Sequence, residues 1–273
     1  MHGAQETIVR GVRMLGDLRP TDAIYEESTG LAARFGHKRT FPPWLSGQPI
    51  PRGEMLSLTE DGIRAYNNGV DRQGQRRRTG MITVEDCFVE RMRGGITITM
   101  ATGVRITGCT VIDCGGHAYS VPSGGLVRGS QGNAAYGPLL FMPYSDRRNA
   151  DIELRLMRSP WSMGDHPLAA VVGSGHKIVI TPVSNETAEA VQPIVIGSAG
   201  DRYADAEQAV QIRNNRGDGI ELTNLTLHPV ELTPYSSNYR IATAGRVENH
   251  GTRNRIERIE RVNAAATAAG GRQ

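Results

Sequence analysis

The sequence predicts an all-β solenoid in which short parallel strands, three to a coil, stack coil upon coil. Three observations lead there. Two segments align without a gap at an offset of 22 residues, from Ile82 to Val104. In both, apolar and polar residues alternate at a period of two and the alternation is interrupted once by a turn-former, the pattern of two strands joined by a bend. The chain is rich in glycine (33) and proline (14) but only 5% aromatic, which suits thin aliphatic layers joined by many turns. A 3.6-residue periodicity never persists, so no amphipathic helix is expected.

The repeat sets the coil. Ile82-Thr83-Val84-Glu85-Asp86-Cys87-Phe88-Val89 matches Val104-Arg105-Ile106-Thr107-Gly108-Cys109-Thr110-Val111, with cysteine on cysteine. A third copy is Ile220-Glu221-Leu222-Thr223-Asn224-Leu225-Thr226-Leu227, and a weaker one runs from Thr7 to Met14. Asp86, Gly108 and Asn224 share the bend position, where each tolerates an unusual backbone. A third short strand, 95–99, lies between the two best copies and completes the coil. One coil cannot bury its own apolar side chains, so neighbours must stack. Parallel strands lie about 4.8 Å apart, which puts Cys87 beneath Cys109 as a rung of small core residues. With Cys114 the cysteines number three, an odd count that argues against a disulfide framework. Further strands are expected within 50–58 and at 152–156, 168–172, 178–181, 194–196 and 209–213. Beyond residue 126 the 22-residue spacing fails, so the later coils must carry insertions. The expected organisation is one domain over 1–262 with an irregular insertion at 17–52, then a disordered tail at 263–273 (NAAATAAGGRQ).

These coils resemble the pectate-lyase-like superfamily of right-handed parallel β-helix proteins. The likeness extends in style over residues 5–260 and rests on 80–115 and 220–227. The signature is specific for fold and mute about reaction, since the superfamily includes polysaccharide lyases, glycoside hydrolases, uronate epimerases, pectin esterases and phage tailspikes. The resemblance implies a secreted or periplasmic protein, a monomer or homotrimer, whose partner is an acidic polysaccharide or oligosaccharide. Calcium is the cofactor it would allow, although no dense carboxylate cluster marks a site. Superfamily members plug the N-terminal end with an amphipathic helix. Here a coil-like strand begins by residue 7, so that cap is expected to be missing. Upstream coils are the favoured explanation; 17–52 folding back, or burial in an oligomer, are the others. MHGAQETIVR holds no leader-like apolar stretch, and no apolar run approaches the roughly 20 residues of a membrane helix, so no membrane partner is expected.

In a solenoid the turns carry chemistry. The loop 66–78 is basic and amide-rich, with Asn67, Asn68, Arg72, Arg76 and Arg77, and reads either as a groove wall for an anionic sugar chain or as a solvated loop. A second loop brings His117 and Tyr119, followed by Arg128, Asn133 and Tyr136. These residue types serve β-elimination from a uronate. The C5 proton is weakly acidic until cations or donors offset the neighbouring carboxylate; a base then removes it and an acid protonates the departing oxygen. His117 or Tyr119 would be base or acid, and Arg72 or Arg128 would hold the carboxylate. The plainer readings are a turn histidine bonded to a carbonyl and a tyrosine packed on a wall. A third loop supplies His166 beside Asp165, and Lys177 as a base if desolvated. No metal is expected, because His117, His166 and His176 lack compact ligand spacing. Glu60-Asp61 is the one exposed-looking acidic pair of the early coils, and no paired-aspartate turn of the hydrolase kind is present. Arg76-Arg77-Arg78 lacks aromatic interleaving, which argues against nucleic acid. The expected function is therefore a polysaccharide lyase acting by β-elimination. The alternative is a non-catalytic glycan-binding or tailspike-like β-helix, and a hydrolase or epimerase ranks third.

Overall fold

The computed structural model describes residues 5–20, 55–57, 61–65, 79–98, 101–135, 137–142, 147–159, 167–182, 192–197 and 217–260. Among them there is no helix, and two long sheets of parallel strands dominate. The large sheet runs Glu6–Arg10, Thr79–Glu85, Ala101–Thr107, Leu126–Gly132, Asp151–Leu156, Lys177–Pro182, Glu221–Asn224, Arg240–Thr243 and Arg255–Arg258. The small sheet runs Ile63–Ala65, Ile96–Ile98, Tyr119–Ser120, Leu140–Met142, Ala169–Val171, Ile194–Ile196, Val230–Leu232 and Val247–Asn249. The chain visits the two sheets in alternation, so it is an all-β parallel solenoid.

Register follows the repeat. Ile82 pairs with Val104, Val84 with Ile106, and Val89 with Val111. The weak copy falls in line as well, Thr7 on Ile82 and Met14 on Val89. Because side chains alternate with period two, this register sends every apolar residue of a column to the same interior. The column Val84, Ile106, Val127, Ile152, Ile178, Leu222 and Ile241 is buried to within 2% throughout. Glu85 pairs with Thr107 and Phe88 with Thr110, which sets Cys87 under Cys109. Both thiols are buried, and Cys109 donates to the Thr107 carbonyl at 3.4 Å. Burial pushes the Cys109 pKa up to about 11 and that of Cys114 to about 12, which leaves both as inert core residues.

The bend is a stack of left-handed residues, Gly11, Asp86, Gly108 and Gly129, with φ of +66°, +53°, +64° and +57°. Phe88–Glu90 and Thr110–Ile112 follow it as the second strand of their coils. This holds only for the early coils. Asp151–Leu156 and Lys177–Pro182 run straight, with no left-handed residue inside them. A three-strand coil is thus too regular a description of the later chain. Asn224 also departs from expectation. It pairs with Ile180 and Thr243, one position beyond the bend column and level with the cysteines. Its buried amide donates to the His228 carbonyl at 2.9 Å and to Thr243 Oγ1 at 3.0 Å, so it serves as a hydrogen-bonding core residue.

A second stack of left-handed residues, including Asn149 (φ +53°), Gly175 (+67°) and Asn238 (+58°), turns the later chain into each large-sheet strand. At the foot of the predicted insertion, Leu18–Pro20 pairs antiparallel with Met55–Ser57. Residues 21–54, the predicted strand at 209–213 and the predicted tail lie outside the described residues.

The bend can be tested at Gly108, where a Cβ would meet Asp86 Oδ1 at 2.5 Å on a left-handed backbone. A β-branched side chain there costs about 1–3 kcal/mol. Gly108→Val should lower the unfolding free energy from urea titration by that amount, whereas Asp86→Gly, which removes a side chain from a left-handed backbone, should not lower it.

Candidate functional site

Strands of the small sheet read as continuous apolar runs, Leu139 to Met142 and Leu168 to Val172, rather than as alternating ones. That is the signature of a parallel strand covered on both faces. The outward column accordingly holds Thr97, Ser120, Phe141, Ala170 and Val195, all buried. At its N-terminal end this column meets a cluster of charged side chains from three successive coils.

Asp61 anchors the cluster with a side chain only 4% exposed, bound by Arg64 Nε at 3.1 Å and Arg93 Nη2 at 2.9 Å. A buried carboxylate needs such partners, since its desolvation is otherwise prohibitive. The approach depends on Gly94, where a Cβ would come within 2.6 Å of Asp61 Oδ1. His117 enters from the next coil. Its Nε2 lies 2.8 Å from Thr97 Oγ1, and its ring stacks on Phe141 at 5.7 Å and 24°. Burial, reinforced by Arg93 and Arg64 and opposed by Asp61, brings its pKa down to about 4. The imidazole is therefore neutral at neutral pH and able to take a proton, beside guanidinium groups of the kind that hold carboxylates.

The other predicted residues do not join it. Tyr119 is a core residue, fully buried, and its hydroxyl donates to the Gln131 carbonyl at 2.7 Å. Burial pushes the phenol well above its ordinary pKa, so the hydroxyl stays protonated as a hydrogen-bond donor within the core. Arg128 points from the large sheet, on another face from His117, and bonds Asp151 Oδ2 at 2.5 Å. It ties two coils together. Asn133 is buried; it accepts from the Asp113 N–H and donates to Asp113 Oδ1, both at 2.9 Å, which locks a corner at which Asp113 is left-handed. Lys177 is exposed on the large sheet between Asp151 and Glu221. Asn67, Asn68, Arg72, Arg76, Arg77, Tyr136 and His166 lie outside the described residues. Asp61 is not the exposed acid expected of it. His176 is a core histidine that accepts from the Ala150 N–H at 3.1 Å and donates to the Val172 carbonyl at 3.2 Å. Among the described residues no group of three or more His, Cys, Asp or Glu side chains is placed to hold a metal ion.

Arg64, Arg93 and Thr97 were not singled out as site residues, although for Arg93 a signal existed. Carrying the 22-residue offset past Val111 sets Met92-Arg93-Gly94-Gly95 against Cys114-Gly115-Gly116-His117. The backbone bonds from Gly95 N to His117 O and from Gly116 N to Arg93 O follow that offset to within a residue.

No protein-family model matches this chain, and a search of curated proteins finds none similar to it.

His117 and His176 both have pKa values lowered to about 4 from 6.5. The unfolded chain therefore binds more protons between those values, and stability is full above about pH 6.5 and lost as pH falls toward 4. Unfolding near pH 5 should take up about one proton per histidine. His117→Gln should flatten the urea-midpoint profile across that window by about half, and an unchanged profile would show that His117 is not held neutral.

Proposed function

We propose that the chain is a right-handed parallel β-helix of the pectate-lyase-like kind that cleaves a uronate-containing polysaccharide by β-elimination. The reaction is assigned to the N-terminal end of the small sheet's outward column, where Arg64 reaches solvent. The observation that carries the reading is the neutral His117 imidazole, held by Thr97 next to Arg64 and Arg93. In this scheme a substrate carboxylate engages Arg64, whose side chain is 35% exposed, in competition with Asp61. The guanidinium disperses the charge that develops when the C5 proton leaves. His117 Nε2 takes that proton, the electron pair forms the C4–C5 double bond, and the C4–O bond breaks as the resulting imidazolium returns the proton to the departing oxygen. A base with a pKa near 4 is weak, so the scheme relies on the guanidinium to acidify the C5 proton.

A second reading has its own support. With Tyr119 in the core and Arg128 spent on Asp151, the structure is also suited to a non-catalytic, glycan-binding β-helix.

Incubation with alginate, pectate and glycosaminoglycans, followed at the unsaturated-uronate absorbance, separates the two. The lyase reading expects a gain that His117→Ala removes and Tyr119→Phe retains, with the rate falling as pH drops toward 4. No gain on any uronate polymer, or a gain that survives His117→Ala, overturns it. Glycan binding without turnover supports the second reading.

A further inference from the structure

The first and last described strands of the large sheet carry complementary edges. Among the described residues, Glu6–Arg10 pairs only with Thr79–Glu85, and Arg255–Arg258 only with Arg240–Thr243. Each presents a row of backbone donors and acceptors on its far side, a template for another strand.

The sheet register fixes which residues of the two edges share a column. Val9 begins the core column, which ends at Ile256. Ile256 is 42% exposed, although every residue between it and Val9 in that column is buried. Arg10 follows Val9 as Glu257 follows Ile256, and both side chains point outward, with Arg10 66% exposed. A second copy advanced along the axis would set its Val9 on Ile256 and its Arg10 beside Glu257. The outward column would then read Glu257, Arg10, Glu85, with charges alternating, and Arg10 already bonds Glu85 at 2.6 Å. Opposite charges directly across parallel strands attract, and like ones would have opposed the contact. In the adjacent column the stem of Arg255 would lie over Ile8, which is 57% exposed.

We propose that copies of this chain associate head to tail, the Glu6–Arg10 strand of one adding in parallel to the Arg255–Arg258 strand of the next. The contact joins unlike surfaces and does not close on itself, so it propagates. The inference does not depend on the proposed reaction.

Sedimentation velocity of the full 273-residue chain at rising concentration tests it. The expected result is open-ended, concentration-dependent association that weakens with salt. Glu257→Arg should lower the association constant about tenfold, or about 1.4 kcal/mol. Arg10→Glu should do the same, and an equimolar mixture of the two variants should recover association, because each supplies the charge the other has lost. Ile256→Lys, at a half-exposed end position, should abolish association while the far-ultraviolet circular dichroism of the monomer stays that of the parent chain. A monomer at every concentration overturns the proposal, as does assembly indifferent to Glu257→Arg and Ile256→Lys.

Discussion

Parallel register between successive coils is the constraint on which everything else in this molecule depends. Once Ile82 lies against Val104, the period-two alternation of the chain assigns every later side chain to the interior or the surface. A slip of one residue would bring Thr83, Arg105 and Glu153 into the core and expose Val84, Ile106 and Ile152. No local propensity could offset that exchange, because each buried isoleucine or valine contributes about 1.5–3 kcal/mol. The left-handed stack at Gly11, Asp86, Gly108 and Gly129 is the device that keeps the register while the early coils turn. Cys87 and Cys109 are the small residues that the inside of that turn accommodates.

The same stacking shapes the candidate site. Asp61, Arg93 and His117 are distant in sequence and come together because each lies at the entrance to a small-sheet strand in consecutive coils. Two consequences follow from burial. The Asp61 carboxylate is bound by two guanidinium partners, and the imidazole, with no anion bonded to it directly among the described residues, is held neutral. Arg128 and His117, close in sequence, end on different faces because a single coil carries the chain from one sheet to the other.

How far the sequence could be read follows from these facts. The coil was legible where strand spacing was constant, from Ile82 through Val111, and the weak copy at Thr7 repeats its pattern across the insertion, since alternation and the repeated bend are local signals. It became illegible where insertions change the spacing. Asn224 looks like the bend by residue type, yet it stands one position later and is used for its amide. Tyr119 looked like a reactive phenol on a turn; it fills the core column of the small sheet, where the alternative rungs are Ile96 and Leu140. Its hydroxyl finds two backbone carbonyls, which only the coordinates could show. His117 was singled out with Tyr119, Arg128 and Asn133 as a residue type that serves β-elimination, and of these it alone lies beside Thr97 and the Asp61 cluster. Asp61 was read as an exposed acid and its pairing with Arg93 was not seen, because the 22-residue offset places Arg93 at its coil entrance and says nothing of which side chains meet there.

The register is open to direct measurement by paired cysteines on the exposed face. Thr83 and Arg105 are partners on adjacent strands, and their side chains point outward. Parallel neighbours about 4.8 Å apart fall within the separation a disulfide spans. The account predicts that Thr83→Cys with Arg105→Cys oxidises to an intrachain disulfide in the folded protein. Thr83→Cys with Ile106→Cys, one residue out of register and on the opposite face, should stay reduced. The reverse pattern, or no cross-link in either pair, would contradict the stacked-coil architecture itself.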